Sequence, residues 1–194
     1  MPDILVQLDN GHGSDTAGKR SPVYPEGQLF EWEFNRDIVK RIAFGLKKIG
    51  IKSHILVPEL TDVPLFIRAK RSNKLTSRNR SILISVHGNA GGGTGIEVFT
   101  TPGLTNADLL AEEFAKSVMK NLPNMKLRAD TEDGDLDKEA KFQILTATAC
   151  PAILTENGFM DNHSDFLWMR SEAGRKKIAE THIDAIKVYL IRAK

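Results

Sequence analysis

Short aliphatic runs along the chain alternate with longer segments in which apolar residues recur every fourth position. Three of the runs, at residues 4–8, 82–86 and 152–155, carry no charge, and a glycine follows each within a few positions. Such a run, closed by a turn residue, predicts a buried strand, because strands of a parallel sheet are apolar on both faces. We therefore predict strands at residues 4–8, 81–87 and 151–155, and further strands at 51–57, 95–100 and 142–145.

The segment from Leu29 to Ile49 has the periodicity of an amphipathic helix. Its apolar positions are spaced by four residues: Phe30, Phe34, Ile38, Ile42 and Leu46. Similar but shorter patterns predict helices at residues 65–74, 106–122, 164–169 and 172–191. About six strands interleaved with helices are the pattern of one α/β layered domain.

Two polar segments interrupt this pattern. Residues 13–28 form a long loop rich in glycine and proline, and loops of this length inside compact domains tend to be functional. Residues 123–140 are rich in acids and are predicted to be a solvated loop. The sequence has no internal repeat, low-complexity segment or linker, so residues 1–194 are predicted to be a single domain.

The composition is that of an ordinary soluble globular protein and excludes several functional classes. The 194 residues are 41% hydrophobic and 27% charged, with a formal net charge of +2. Because the basic residues are scattered, we expect no nucleic-acid partner. Cys150 is the single cysteine, which excludes an intramolecular disulfide and a cysteine-based metal site, and we predict a buried thiol. No apolar run approaches the length of a membrane span, and the N-terminal residues lack the features of a signal peptide.

Three predicted strands each deliver a metal- or proton-handling side chain at the carboxyl end. His12 follows the first strand, His87 ends the strand at 81–87, and Glu156 follows the last strand. The carboxyl edge of an α/β sheet is where ligands bind, so these side chains are predicted to share a site. Glu31, in the first turn of the long helix, joins them as a further candidate.

Two imidazoles and a carboxylate are a common ligand set for catalytic zinc, which keeps a fourth position for water. Bound zinc lowers the pKa of that water to roughly 7. A second carboxylate that does not bind the metal can take the proton of the water and pass it to a leaving amine.

Spacing alone leaves alternatives open. Either histidine could be an ordinary residue at a strand end, and Glu31 could merely stabilise the N-terminus of its helix. Glu33 or Glu26 could replace Glu31 as a ligand. Four other residues receive no role: His54 is predicted to be an ordinary strand residue, His163 and His182 surface residues, and Glu97 a strand residue of open function.

Several motifs occur in order along almost the whole chain. They are Asp9-Asn10-Gly11-His12-Gly13, Glu31-x-Glu33-x-Asn35, Ser85-Val86-His87-Gly88-Asn89-Ala90, Gly95-Ile96-Glu97 and residues 151–162, with Arg68 and Ser72-Asn73 on the helix before the second histidine. In this order the motifs resemble the zinc-dependent N-acetylmuramoyl-L-alanine amidases of the type 3 family. Thr146 is a departure, because the family often has a basic residue there.

The resemblance implies a fold and a reaction. The fold is α/β, with a single twisted, mostly parallel (mixed) sheet of about six strands flanked by helices on both faces. His12, Glu31 and His87 would bind one Zn²⁺, and Glu156 would be the catalytic carboxylate. The substrate would be peptidoglycan, cleaved at the amide between the lactyl group of N-acetylmuramic acid and L-alanine of the stem peptide. A zinc peptidase and a catalytically silent peptidoglycan-binding module are the alternatives.

Further expectations concern the setting in which the enzyme works. We expect a monomer without a separate wall-binding domain, made in the cytoplasm without a signal peptide and acting on the cell wall. A lysin released through a phage pore is the favoured route, ahead of release by lysis or removal of a signal. The short span from residue 103 to 151 predicts an open site without a plugging helix. Glu132, Asp133 and Glu139 are the residues that could contradict this by reaching the metal.

Overall fold

A computed structural model describes residues 3–131 and 134–193 of the chain. The strands are β1 (Leu5–Asn10), β2 (Ser53–Ile55), β3 (Ser81–Asn89), β4 (Ile96–Thr100), β5 (Lys138–Glu139) and β6 (Ala152–Phe159). The helices are α1 (Glu31–Lys48), α2 (Leu65–Thr76), α3 (Asp108–Asn121), α4 (Gln143–Thr146), α5 (His163–Arg170) and α6 (Glu172–Arg192).

The six strands form one mixed sheet in the order β2-β1-β3-β6-β4-β5. Only the β4–β6 pair is antiparallel, and the other four pairs of described strands are parallel. The parallel strands β1, β3 and β6 therefore end at the same edge of the sheet. This arrangement confirms the predicted α/β fold with a mostly parallel mixed sheet.

Helices cover both faces of the sheet, and each face has its own apolar core. The larger core lies under α1, α3 and α6, with Phe34, Phe114 and Ile186 among its most buried side chains. The smaller core lies under α2 and α4 and includes Leu83 and Leu145. Alternate residues of β3 and β6 enter opposite cores, which is why the first halves of these strands are apolar at nearly every position.

Three central strands end later than predicted. The prediction ended them at residues 8, 87 and 155, but β1 continues to Asn10, β3 to Asn89 and β6 to Phe159. The pairing of β6 with β4 extends through Asn157, and a register shift between His87 and Asn89 absorbs the irregular backbone. In β3 and β6, glycine therefore marks an irregularity within the strand and not its end, since Gly158 has a φ of +107°.

The prediction of a strand at residues 142–145 is wrong. Residues Gln143–Thr146 form the short helix α4, which places Ile144 and Leu145 in the smaller core. Four apolar residues can bury their side chains equally well as a strand or as one helical turn. The sixth strand lies instead in the acid-rich segment, where β5 pairs with Phe99 and Thr100 of β4.

The acid-rich segment is also less solvated than predicted. Asp137 is 1% exposed and accepts a hydrogen bond of 2.6 Å from the hydroxyl of Thr100. Glu139 accepts a hydrogen bond from the backbone N–H of Gly103 at 2.6 Å, so it belongs to the β4–β5 region. Glu132 and Asp133 lie outside the described residues.

The prediction that His182 lies on the surface is wrong as well. Its side chain is fully buried on α6, with the ring 4.6 Å from that of Phe114. Nδ1 lies 2.8 Å from the carbonyl oxygen of Ile178 and Nε2 3.0 Å from the hydroxyl of Thr155, so both nitrogens have partners. Burial lowers the pKa of His182 to about 4, and the ring is neutral at pH 7.

Two other predictions agree with the structure. Cys150 is 7% exposed, and its sulfur contacts the hydroxyl of Ser72 at 4.0 Å. His163 is exposed, as predicted, and its Nε2 lies 3.2 Å from a carboxylate oxygen of Glu26. Among the described residues, no helix combines the length and the apolar character needed to cross a bilayer.

Candidate active site

Three side chains from separate parts of the chain converge at the carboxyl edge of the sheet. Oε1 of Glu31 lies 3.0 Å from Nδ1 of His87 and 3.4 Å from Nε2 of His12. The two imidazole rings are 5.1 Å apart and nearly perpendicular. One ligand atom from each residue lies within 4.8 Å of the others, and no other group of described residues offers three such ligands at this spacing.

His12 is delivered by an unusual backbone conformation just after β1. Its φ is +62°, and no other non-glycine among the described residues has a positive φ. This left-handed conformation is unfavourable for a residue with a Cβ. The glycines on either side permit close packing: a Cβ on Gly11 would lie 2.0 Å from the ring of His87, and one on Gly13 would lie 1.9 Å from the backbone of Asp62.

Two arginines hold the backbone of His12 in this conformation. Nη1 of Arg36 donates to the His12 carbonyl oxygen at 3.0 Å, and Nη2 of Arg68 approaches it at 3.4 Å. Arg68 is 1% exposed and also forms ion pairs with Asp9 and Asp62, at 2.8 and 2.7 Å. The guanidinium groups thus offset the backbone strain through charge-assisted hydrogen bonds.

Glu31 is held by groups from the same helix and from β3. Nδ2 of Asn35, one turn further along α1, lies 3.3 Å from Oε1 of Glu31 and donates to the Gly11 carbonyl at 3.0 Å. The backbone N–H of Gly88 also approaches Oε1, at 3.3 Å. Asn35 therefore links the carboxylate of Glu31 to the backbone that precedes His12.

The pKa shifts of Glu31 and His12 favour the forms that bind a metal, an anionic carboxylate and a neutral imidazole. Burial raises the pKa of Glu31, but the hydrogen bond and charge of His87 and the charge of His12 outweigh it, so the pKa is lowered overall. Burial lowers the pKa of His12 to about 4, which leaves the ring neutral at pH 7. For His87, burial lowers the pKa, but Glu31 and Glu156 raise it more. Two imidazoles around an anionic carboxylate fit the ligand preference of Zn²⁺.

Glu156 lies beside this group on the neighbouring strand. It is the register partner of His87 across the β3–β6 pair, and it lines a cavity of about 280 Å³ together with Glu31 and His87. Its Oε2 is buried and has no hydrogen-bond partner among the described residues. Burial raises the pKa of Glu156 to about 7, His87 opposes this rise, and the negative charges of Glu31 and Glu97 add to it.

Glu97 is the register partner of Glu156 on the other side, across the β4–β6 pair. Oε1 of Glu97 accepts from Nζ of Lys138 at 2.6 Å and from Nε of Arg128 at 2.8 Å, and Oε2 accepts from Asn89 at 2.6 Å. Burial raises the pKa of Glu97, but these two cations lower it overall. Glu97 therefore lies next to Glu156 as an ion-paired carboxylate.

The structure separates the alternative ligands from this group. Glu33 is exposed on α1, and Glu26 pairs with His163 at the surface. His54 is an exposed residue of β2. Of the acids considered for Glu31's position, only Glu31 itself lies with both histidines.

Sequence reasoning missed most of the residues that support the site. The spacing of four between Glu31 and Asn35 on a helix could have predicted their contact. The contacts of Arg36 with the His12 carbonyl, and of Ser85 with Asp9 at 2.6 Å, join positions far apart in the chain. No local sequence pattern predicts contacts between residues so far apart.

Comparison with known proteins agrees with the fold and identifies the family. The family model described as N-acetylmuramoyl-L-alanine amidase matches residues 6–188. N-acetylmuramoyl-L-alanine amidase CwlM of Bacillus licheniformis is 30% identical over 192 residues, which cover 94% of this chain and 67% of the relative. The endolysin of Bacillus phage SPP1 is 27% identical over 188 residues, covering 94% of this chain and 64% of the endolysin.

A solved structure shows the same fold over nearly its full length. The crystal structure of N-acetylmuramoyl-L-alanine amidase from Clostridium difficile 630 has a TM-score of 0.85 at 24% identity, and the match covers 98% of each chain. The chain spans 67% and 64% of the lengths of the two curated relatives. It belongs to the N-acetylmuramoyl-L-alanine amidase family, the hydrolases that cleave the amide bond between N-acetylmuramic acid and L-alanine in peptidoglycan.

Proposed function

We propose that His12, Glu31 and His87 bind a catalytic Zn²⁺ and that Glu156 is the catalytic carboxylate of peptidoglycan amide hydrolysis. The observation that carries the proposal is the convergence of three ligand atoms within 4.8 Å beside a carboxylate whose buried Oε2 lacks a partner. A buried carboxylate oxygen without a hydrogen bond is costly, and a site that receives water and substrate supplies the missing partner.

When bound, zinc supplies a polarised substrate carbonyl and a water whose pKa is lowered to roughly 7. Glu156 accepts the proton of the attacking water and then donates it to the nitrogen of L-alanine as the amide bond breaks. Burial raises the pKa of Glu156, and a raised pKa favours the protonated form that donates to the leaving nitrogen. Lys138 and Arg128 lower the pKa of Glu97, which favours its charged form beside Glu156.

The wider setting is also proposed. We infer that residues 1–194 act as one monomeric catalytic domain at the cell wall. The similarity to an endolysin of a Bacillus phage supports release through a phage pore or by lysis as the route from the cytoplasm to the wall.

Removal of the metal tests the proposed zinc site. A chelator followed by dialysis is expected to abolish turnover of purified peptidoglycan, and one equivalent of Zn²⁺ is expected to restore it, whereas Mg²⁺ is not. Zinc is also expected to raise the midpoint of thermal unfolding, because a ligand that binds only the folded state stabilises it. Full turnover by protein shown to be free of metal would contradict the proposal.

A further inference from the structure

The cavity beside Glu156 contains one fixed positive charge. Lys19 lines it together with Glu31, His87 and Glu156, and it is the sole lysine or arginine among the described lining residues. Lys19 is exposed and forms no ion pair with a described residue. Its charge nevertheless acts on His12, Glu31 and Glu156. The ammonium group is therefore near the reacting centre and available to a ligand.

The backbone of Lys19 is tied to the start of α1. Its carbonyl oxygen accepts a hydrogen bond of 3.0 Å from the N–H of Glu31, and the adjacent Arg20 forms an antiparallel bridge with Phe30. Gly18, with a φ of +77°, makes the turn that precedes it. The position of Lys19 relative to the proposed zinc ligand Glu31 is thus defined by backbone contacts.

The charges on the opposite side of the centre are paired with one another. A second cavity of about 280 Å³ shares His87 with the first and is lined by His12, Asp62 and Arg68, among others. Arg68 is paired with both Asp9 and Asp62, and Arg36 donates to the same His12 carbonyl oxygen that Arg68 approaches, so the two cations balance the two carboxylates. The carboxylate of Asp62 is 40% exposed. An anionic part of a substrate is therefore favoured on the Lys19 side, because the cations on the Asp62 side are already engaged with carboxylates and a backbone carbonyl.

The proposed role of Glu156 assigns the two sides to the two halves of the substrate. Glu156 protonates the nitrogen of L-alanine, so the peptide leaves along the cavity that Glu156 and Lys19 line. The uncharged sugar would then lie along the Asp62 side. We propose that Lys19 binds a carboxylate of the stem peptide, at the residue after L-alanine, and selects substrates in which this carboxylate is free over those in which it is amidated. This inference rests on the proposed function.

Two substrates that differ only in this charge test the inference. They are N-acetylglucosaminyl-N-acetylmuramoyl-L-alanyl-D-alanine with a free C-terminal carboxylate and the same compound with a C-terminal amide. The unmodified enzyme is expected to prefer the carboxylate about 5-fold in kcat/KM, chiefly through KM, as for one partly exposed ion pair. Lys19→Met is expected to abolish the preference, and Lys19→Glu to reverse it. The matched control Lys40→Met, an exposed lysine of α1, is expected to retain it.

Equilibrium binding of the two compounds to zinc-loaded Glu156→Gln protein separates this inference from the proposed chemistry. Binding does not require turnover, so about a 5-fold preference that disappears with Lys19→Met supports the role of Lys19 even if the mechanism is wrong. Equal affinity for the two compounds, or a preference that survives Lys19→Met, would overturn it and leave the zinc mechanism unaffected.

Discussion

Replacing Glu156 by glutamine is expected to lower kcat by about 10²–10⁴-fold, the usual contribution of a general acid–base. The amide of glutamine keeps the size of the side chain but cannot take the proton of water or deliver it to a leaving amine. Because Glu156 is not among the three converging ligand atoms, bound zinc is expected to stay at one equivalent. Loss of turnover without loss of metal is the signature of this role.

The measurement pairs metal content with initial rates on purified peptidoglycan. Glu33→Gln is the matched control, since it removes an exposed carboxylate of α1 near Glu31 in sequence and is expected to keep both metal and rate. A Glu156→Gln protein that retains full turnover would remove this carboxylate from the mechanism. Loss of zinc in this variant would make Glu156 a ligand instead.

Replacing His87 by alanine is expected to weaken zinc binding by more than about 100-fold and to abolish turnover. Changes in residues that only orient a ligand already cost about 10–100-fold in metal affinity, and loss of a ligand costs more. The change also removes the imidazole 3.0 Å from Oε1 of Glu31, which leaves a buried carboxylate with weaker partners. His12→Ala is expected to have the same effect.

Zinc titration followed by thermal unfolding measures this effect independently of turnover. Zinc is expected to raise the unfolding midpoint of the unmodified protein and not that of His87→Ala. His163→Ala, which removes an exposed histidine outside the site, is expected to behave like the unmodified protein. Tight zinc binding by His87→Ala would show that the metal lies elsewhere.

The central strands and the convergence of the site could be predicted because local pattern and topology agree. Uncharged aliphatic runs define β1, β3 and β6, and parallel strands must end at a common edge, which brings His12, His87 and Glu156 to one place. Pattern and topology alone could not select Glu31 as the carboxylate ligand, because Glu33 and Glu26 carry the same functional group. The resemblance to the amidase family selected it, and the structure places it between the two histidines.

The predictions that failed concern segments whose local sequence is ambiguous or whose structure is determined by a contact with a distant part of the chain. Residues 142–145 are too few to distinguish a strand from a helical turn, and the pairing of β5 depends on β4, about forty residues away. His182 is polar, but Thr155 and Ile178 satisfy both of its nitrogens, which allows it to be buried. Ile178 lies on the preceding turn of α6, but Thr155 lies on β6, and the helical pattern of α6 cannot predict that contact.

The residues that support the site could not be predicted either, because their contacts also join distant parts of the chain. Arg68 contacts Asp9, Asp62 and the His12 backbone from a helix that delivers no ligand. These contacts offset the strain of the positive φ of His12. That φ is a property of the folded backbone, and the sequence shows only a histidine between two glycines, which allows such a conformation but does not predict it. Likewise, the charge of Glu97 beside Glu156 follows from strand register and from cations in the acid-rich segment.

Analysis of the bond that is cleaved tests the central claim most directly. Purified peptidoglycan digested by the zinc-loaded enzyme is separated, and the new termini are identified by mass spectrometry. We predict stem peptides with a free L-alanine amine and glycan strands that carry unsubstituted lactyl carboxylates. New amines at positions within the stem, with L-alanine still attached to muramic acid, would identify a zinc peptidase and contradict the account. Binding of the wall without any released product would identify a catalytically silent module and contradict it equally.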